Sequence, residues 1–377
     1  MTKQFDVCIR GDGIVGRTLA LLLARERLRV ALVATPGDAA AATSPDVRAY
    51  ALNMASRELL DKLRAWPDAV SATPVREMRV WGDDGGLLAF NAQELGQPAL
   101  AWIVDVPVLE RQLAEALRYQ PQVEVVAAPA KAALTVVCEG KKSESRDEFG
   151  AQWTIKPYPQ KAIAARLQST RPHGGVARQW FSAKGDIIGL LPLSGAEGNS
   201  VALVWSVSVE RADALLKLTP EEFCAALQAD CKVDHQSDAG DAPGLLQLTS
   251  ERASWPLALA NADRWVGPGW ALAGDAAHTV HPLAGQGLNL GLADVAELAD
   301  VIEQREYWRG LGDEKLLRRY ERARKADVAA KGTVSDGLHG LFSQTDTRFQ
   351  ALRHWGMRGF ARSGPLKAWV AKQASGL

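Results

Sequence analysis

The chain has 377 residues, 47% of them apolar, enough to bury a substantial core in two domains or one large two-lobed unit. Its 44 basic and 44 acidic side chains cancel, so no net field draws in nucleic acid or an anionic membrane from a distance. The early apolar run around Leu19 to Ala24 is far shorter than the ~20 residues of a membrane span, and Asp6 and Arg10 interrupt any export signal, so the expected location is the cytoplasm.

From the start of the chain, a strand at Phe5 to Ile9 leads into a glycine turn, then a helix from Ile14 with Val15, Leu19 and Leu22 on one face, then a strand at Val30 to Val33. This is the βαβ dinucleotide fingerprint: Gly11, Gly13 and Gly16 permit a tight turn and close backbone approach, and the free N–H groups at Ile14, Val15 and Gly16 suit a pyrophosphate. An ordinary tight turn is the competing reading. The acid expected after the second strand is absent, with Ala34 and Thr35 in its place, and Asp12 puts a negative charge inside the turn.

Further along, "MRVWGDDGGLLAF" reads as a hairpin turning at Asp83 to Gly86, and "VPVLERQLAEALR" as a helix. "VARQWF", "IIGLLPL" and "SVALVWSVSV" read as strands of a sheet-rich second lobe, followed by a helix at Pro220 to Gln228 and a loop, "SDAGDAPG". After Trp270 come a buried strand, "WALAG", and a helix whose apolar positions Leu288, Leu292, Val295, Ala299 and Ile302 step by four and three. Further helices fill the C-terminal end.

Cys8, Cys138, Cys224 and Cys231 lack CxxC spacing and read as small core residues in a reducing compartment. His278 and His281 lie three apart, but no further ligand cluster accompanies them, so no metal is expected. Trp81, Trp102, Trp180 and Trp205 suit either an aromatic pocket or the core, and the core is favoured.

The stretch "GDAAHTVHPLAGQGLNLGLAD" is similar to the second FAD-binding motif of flavin aromatic hydroxylases of the para-hydroxybenzoate hydroxylase type, most of all their ubiquinone-biosynthesis branch. "DVRAYALNMAS", "MRVWGDDG", "YPQKAIAARLQSTRPHGGVARQWF", "IIGLLPLS", "VALVWSVS" and "LRRYERARKAD" resemble the same branch in the same order. The resemblance implies an α/β fold: a Rossmann-like FAD-binding domain of the GR2 type, an interleaved β-sheet substrate domain and C-terminal helices. The expected division is 1–75, 100–160 and 256–345 for FAD, 76–99 and 161–255 for substrate, and 346–377 as a basic amphipathic helical segment.

The implied cofactor is FAD, with NADPH or NADH and O2 as co-substrates. Beside the glycine-turn residues already named, the resemblance assigns to the cofactor Arg48, Arg111, Gly274, Asp275, Pro282, Gly285, Gln286, Gly287, Leu288 and Asn289. The physical reading agrees: a strand ending at Gly274 aims the Asp275 carboxylate at a ribityl hydroxyl, although an acid capping a local turn would look alike. Gly285 and Gly287 leave a bare peptide edge for a flat ring, and the helix behind them directs its dipole at that ring. Arg48 matches the family arginine near the flavin, where a fixed cation favours the reduced ring; a solvated loop arginine is the alternative.

The implied activity is monooxygenation of the aromatic ring of a polyprenylated phenol or benzoquinol in ubiquinone biosynthesis, through a C4a-hydroperoxyflavin. No triad or carboxylate pair is needed, so no catalytic side chain is named; His281, Pro282 and Leu283 are candidates to line the pocket. The chain departs from the family before Glu139, where a β-segment is shorter and Glu139 and Gly140 replace Asp and Gly. With Ala34 and Asp12, this predicts weakened contacts to the adenosine half of FAD. It also motivates an alternative, a non-catalytic relative serving as an assembly subunit of a quinone-biosynthesis complex. The segment from Arg348 to Leu377 has six basic residues and no acid, interleaved with Phe349, Trp355, Phe360 and Trp369, which suits either peripheral contact with an anionic membrane face or a solvated helix packed on the body. Partners expected are therefore a polyprenylated aromatic, with a complex or homo-oligomer, and no nucleic acid.

Overall fold

The computed structural model describes residues 4–34, 46–82, 86–182, 184–231, 243–280 and 287–343, with side chains to residue 330. Thr35, the turn residues 83–85, His281, Pro282, Leu283, Gly285, Gln286 and the segment 346–377 lie outside the described residues.

The first sheet comprises β1 (Phe5–Arg10), β2 (Val30–Val33), β8 (Val123–Val126), β9 (Ala132–Val137), β16 (Val266–Gly267) and β17 (Trp270–Leu272). They lie in the order β16-β17-β9-β1-β2-β8, parallel throughout except the β16–β17 pair. Parallel strands are covered on both faces, which is why β1 has no alternation: Val7, Cys8 and Ile9 are all fully buried. Over this sheet pack α1 (Ile14–Arg25), α3 (Val106–Arg118), α7 (Gly287–Glu303) and α8 (Glu314–Ser343). Leu288, Leu292, Val295, Ala299 and Ile302, the spacing read from the sequence, are all buried.

The second sheet has nine strands: β5 (Glu77–Trp81), β6 (Leu87–Asn91), β10 (Trp153–Ser169), β11 (Val176–Phe181), β12 (Ile187–Pro192), β13 (Ser200–Ser208), β14 (Leu246–Leu248), β15 (Ala253–Ala262) and β18 (His278–Thr279). Eight run in the order β18-β15-β10-β13-β12-β11-β5-β6, and β14 pairs with β10. Along β10 the side chains alternate. Ile163, Ala165 and Leu167 join Trp205 of β13 under α5 (Val209–Leu215) and α6 (Pro220–Asp230), meeting Phe223 and Leu227. Arg166 faces the other way and crosses to Asp105, 2.5 Å from its carboxylate, and to the Arg48 carbonyl at 3.1 Å. Trp81, Trp180 and Trp205 belong to the helix-covered side, Trp81 stacking on Trp180 at 4.7 Å, and Trp102 is buried in another cluster, so the four tryptophans are core. The four cysteines are buried and unpaired.

A third sheet, not legible in the sequence, has β3 (Ala49–Leu52), β4 (Ala72–Val75) and β7 (Ala101–Asp105) in the order β3-β7-β4. It packs Val75 and Ile103 against Ala202 of β13, joining the two larger sheets. One boundary also differs. The strand read as "WALAG" stops at Leu272; Ala273 still bonds to Val137, and Gly274, at φ +63°, turns the chain into a short 3-10 turn, Gly274–Ala276.

Phe223 is fully buried and meets the Trp205 ring edge-on at 5.6 Å. We expect Phe223→Ala to lose about 3–5 kcal/mol of stability in urea titration while FAD affinity stays near wild type, because the cavity opens on the helix-covered side.

Candidate functional site

At the end of β1 the glycines do what their spacing predicts. Gly11 has φ +103°, and a Cβ there would lie 2.6 Å from the Cys138 carbonyl oxygen; a Cβ on Gly16 would lie 1.9 Å from that of Gly11. Gly13, by contrast, has open space around it and caps α1 without a side chain, and the first turn of α1 has no acid. The N–H groups at Ile14, Val15 and Gly16 belong to the first turn of α1, where they have no intrahelical acceptor, and carry the positive end of the helix dipole. Asp12 is not a loose negative charge there: its carboxylate lies 3.6 Å from Arg17, which also donates to the Glu110 carbonyl of α3.

The Gly274 turn is held from below by a carboxylate that sequence reasoning missed. Asp294, on the second turn of α7 and fully buried, accepts the Gly274 N–H (2.9 Å) and the His278 Nε2–H (2.7 Å) on Oδ2, and Arg324 Nε–H of α8 (2.8 Å) on Oδ1. Burial alone would raise its pKa, but His278 and Arg324 outweigh burial and hold it below the ordinary aspartate range. The available signal was an acid on the apolar stripe Gly291, Asp294, Leu298 of a helix, which requires partners when buried. His278, weighed as a metal ligand, is committed to Asp294 and stacks on Trp265 at 4.7 Å.

Asp275 stands on that turn with no hydrogen bond to its carboxylate among the described residues. Burial raises its pKa; Lys141, His278 and Arg48 oppose the rise and Asp294 adds to it. A half-covered carboxylate without a donor suits a polyol hydroxyl. Gly274 leaves room only for hydrogen beside Val15, whose methyls would lie 3.3–3.4 Å from a Cβ. Gly291 brings α7 equally close, so the starts of α1 and α7 and the Asp275 turn converge on one cleft.

At the start of α7, nothing among the described residues lies within 4 Å of a Cβ placed on Gly287. Leu288 is buried, and the Asn289 side chain is fully engaged: it donates to the Ala51 carbonyl (2.8 Å) and accepts from Asn53 N–H (3.0 Å) and Ser56 Oγ–H (2.8 Å). What this turn presents to a ring is backbone N–H and dipole. Arg48 is half-exposed and ion-paired with Asp46 at 2.5 Å; its charge reaches Tyr50 and Asp275. Arg111 is exposed on α3.

In the altered loop after β9 the Glu139 carboxylate is satisfied within the loop itself. Glu139 accepts from Ser143 Oγ (2.8 Å), Ser145 Oγ (2.6 Å) and Ser145 N–H (3.2 Å). Arg146 is buried over the Trp153 ring at 3.8 Å and donates to the Ala276 carbonyl at 3.1 Å, tying this loop to the Asp275 turn. The glycine cradle, the bare helix starts and the unpaired carboxylate together fit a flavin dinucleotide.

Comparison with known proteins agrees with this fit. The family described as "FAD binding domain" matches residues 128–333. The chain is 32% identical to 3-demethoxyubiquinol 3-hydroxylase of Escherichia coli (strain K12) over 409 residues, covering 100% of both chains. It is 30% identical to ubiquinone hydroxylase UbiL of Rhodospirillum rubrum, covering 99% of this chain and 90% of that one. Among solved structures, PqsL of Pseudomonas aeruginosa in complex with 2-aminobenzoylacetate superimposes with a TM-score of 0.77 at 23% identity, covering 95% and 100% of the two chains.

Two outcomes test this geometry. Asp275→Ala should lower FAD affinity by roughly tenfold or more in a fluorescence titration while leaving the unfolding midpoint nearly unchanged, since none of the described residues loses a hydrogen bond. Asp294→Asn should destabilise by about 3–5 kcal/mol near neutral pH, because Arg324 and His278 lose their counter-charge. Since the folded Asp294 pKa lies below the ordinary 3.8, its stabilisation is present above that value and is lost as pH falls below it. The acid side of the wild-type stability curve should therefore be steeper than that of Asp294→Asn, as read by thermal unfolding from neutral pH down to about pH 3.

Proposed function

The chain belongs to the FAD-dependent monooxygenases of ubiquinone biosynthesis, and from that membership and this site we propose that it hydroxylates the ring of a polyprenylated phenol or benzoquinol. The observation that carries the proposal is the Asp275 carboxylate, without a hydrogen-bond donor among the described residues and close to the starts of α1 and α7.

In this reading the N–H groups at Ile14, Val15 and Gly16 bind the pyrophosphate, and Asp275 accepts a hydroxyl of the ribityl chain. Gly287 and Leu288 present backbone donors and the dipole of a 17-residue helix to the ring edge, favouring negative charge there, and Arg48 adds a fixed cation nearby. When bound, FAD supplies the redox chemistry: electrons come from NAD(P)H, and one atom of O2 goes to the aromatic ring while the other leaves as water. The protein contributes position and dryness. Arg166, bonded to Asp105 and the Arg48 carbonyl, ties the second sheet to the third, and would hold a substrate bound on that sheet in a fixed position relative to the cofactor site.

Two of the departures near the adenosine half are offset in this chain: Arg17 lies 3.6 Å from Asp12, and Glu139 braces the serines of its own loop. They therefore give the assembly-subunit reading no specific support.

We expect the purified protein to be yellow, its flavin band to bleach under anaerobic NAD(P)H, and aerobic turnover of a short-chain prenylphenol to yield a product one oxygen atom heavier by mass spectrometry. Protein that stays colourless with added FAD would remove the proposal.

A further inference from the structure

Among the buried polar atoms, one on β10 has no partner and no role in the fold. Gln160 is only 8% exposed; its Nε2 donates to the Gly185 carbonyl at 2.8 Å, and its Oε1 has no hydrogen-bond partner among the described residues. The amide cannot be turned over to cure this, because its oxygen would then face the Gly185 carbonyl, acceptor against acceptor. A buried acceptor left unmade is costly, so it calls for a donor from elsewhere.

The strand register says from which side that donor comes. Gln160 pairs with Ser208 and lies an even number of residues from Arg166, so both project from the same face of β10. Arg166 reaches Asp105 and the Arg48 carbonyl, which makes this the side turned to the flavin domain; the odd-numbered Ile163, Ala165 and Leu167 fill the opposite side under α5 and α6. On the same face between Gln160 and Arg166, Ala162 lies between Trp255 and Ser206, with Ile187 opposite Ser206, and the next row is Ala164, Val204 and Gly189. The pinned carbonyl oxygen thus borders a face of small residues edged by the Trp255 ring and Ile187, the setting an aromatic ring packs against.

We propose that Gln160 is a specificity residue whose Oε1 accepts the hydrogen bond of a free ring hydroxyl, so that the site selects phenols and quinols over their O-methylated or quinone counterparts. This rests on the phenol reading above. An acceptor with its amide nitrogen already committed rewards a hydroxyl donor and gains nothing from an ether or carbonyl oxygen, which would leave it unpaired.

The test uses the FAD-loaded protein with 2-farnesylphenol and its methyl ether as probes, each titrated by its perturbation of the flavin absorbance. Wild type should bind the phenol about tenfold more tightly than the ether, and Gln160→Met, which keeps the volume and removes the acceptor, should bind the phenol as weakly as the ether. Equal wild-type affinities overturn the assignment without any variant, so it stays testable even if Gln160→Met folds poorly. A variant that keeps the tenfold preference overturns it as well. Binding of neither probe to wild type overturns the assignment together with the phenol reading, whereas equal binding of both overturns Gln160 alone.

Discussion

The site depends on a carboxylate that touches no ligand. Asp294 is fully buried, and a lone ionised acid there would cost several kcal/mol in lost hydration. Three donors from three parts of the chain offset that cost: the Gly274 N–H, His278 and Arg324. A carboxylate that must satisfy all three has almost no freedom, and the turn bonded to it has none either. Asp275 is consequently held on a turn that α7 itself fixes, so this carboxylate and the first turns of α7 form one rigid piece.

The glycines make that arrangement sterically available. Gly11, Gly16, Gly274 and Gly291 each lie where a Cβ would press on a neighbouring turn or on Val15, so α1, α7 and the Asp275 turn come closer than side chains would allow. The hub and the glycines are two parts of one constraint, since relaxing either would separate the start of α1, α7 and the Asp275 turn.

What the sequence disclosed follows from the range of the interactions involved. The βαβ start, the helix at Val106–Arg118 and the apolar face of α7 are set by local periodicity, and they lie where the spacing puts them. The β3-β7-β4 sheet joins strands separated by tens of residues with no short turn between β3 and β7, so no local pattern announces it. β10 runs 17 residues through Pro157 and Pro159, and its register against β15 shifts between Pro157 and Lys161, an irregularity that local sequence pattern does not announce. Asp275 stood out as part of a motif. Asp294 closes the same motif, but its partner Arg324 is a helix away, and only the tertiary structure brings the two together.

The two faces of β10 show how one strand serves stability and chemistry at once. Toward α5 and α6 the sheet carries Trp81, Trp180, Trp205, Ile163 and Leu203, large side chains that fill space and anchor the lobe. On the other face β10 and β13 carry Ala162, Ala164 and Ala202, with Trp255, Ile187 and Leu191 on the neighbouring strands beside them. Arg166 and the contact of Ala202 with Ile103 tie this face to the third sheet, so β10 anchors its own lobe with one side and joins it to the rest of the molecule with the other.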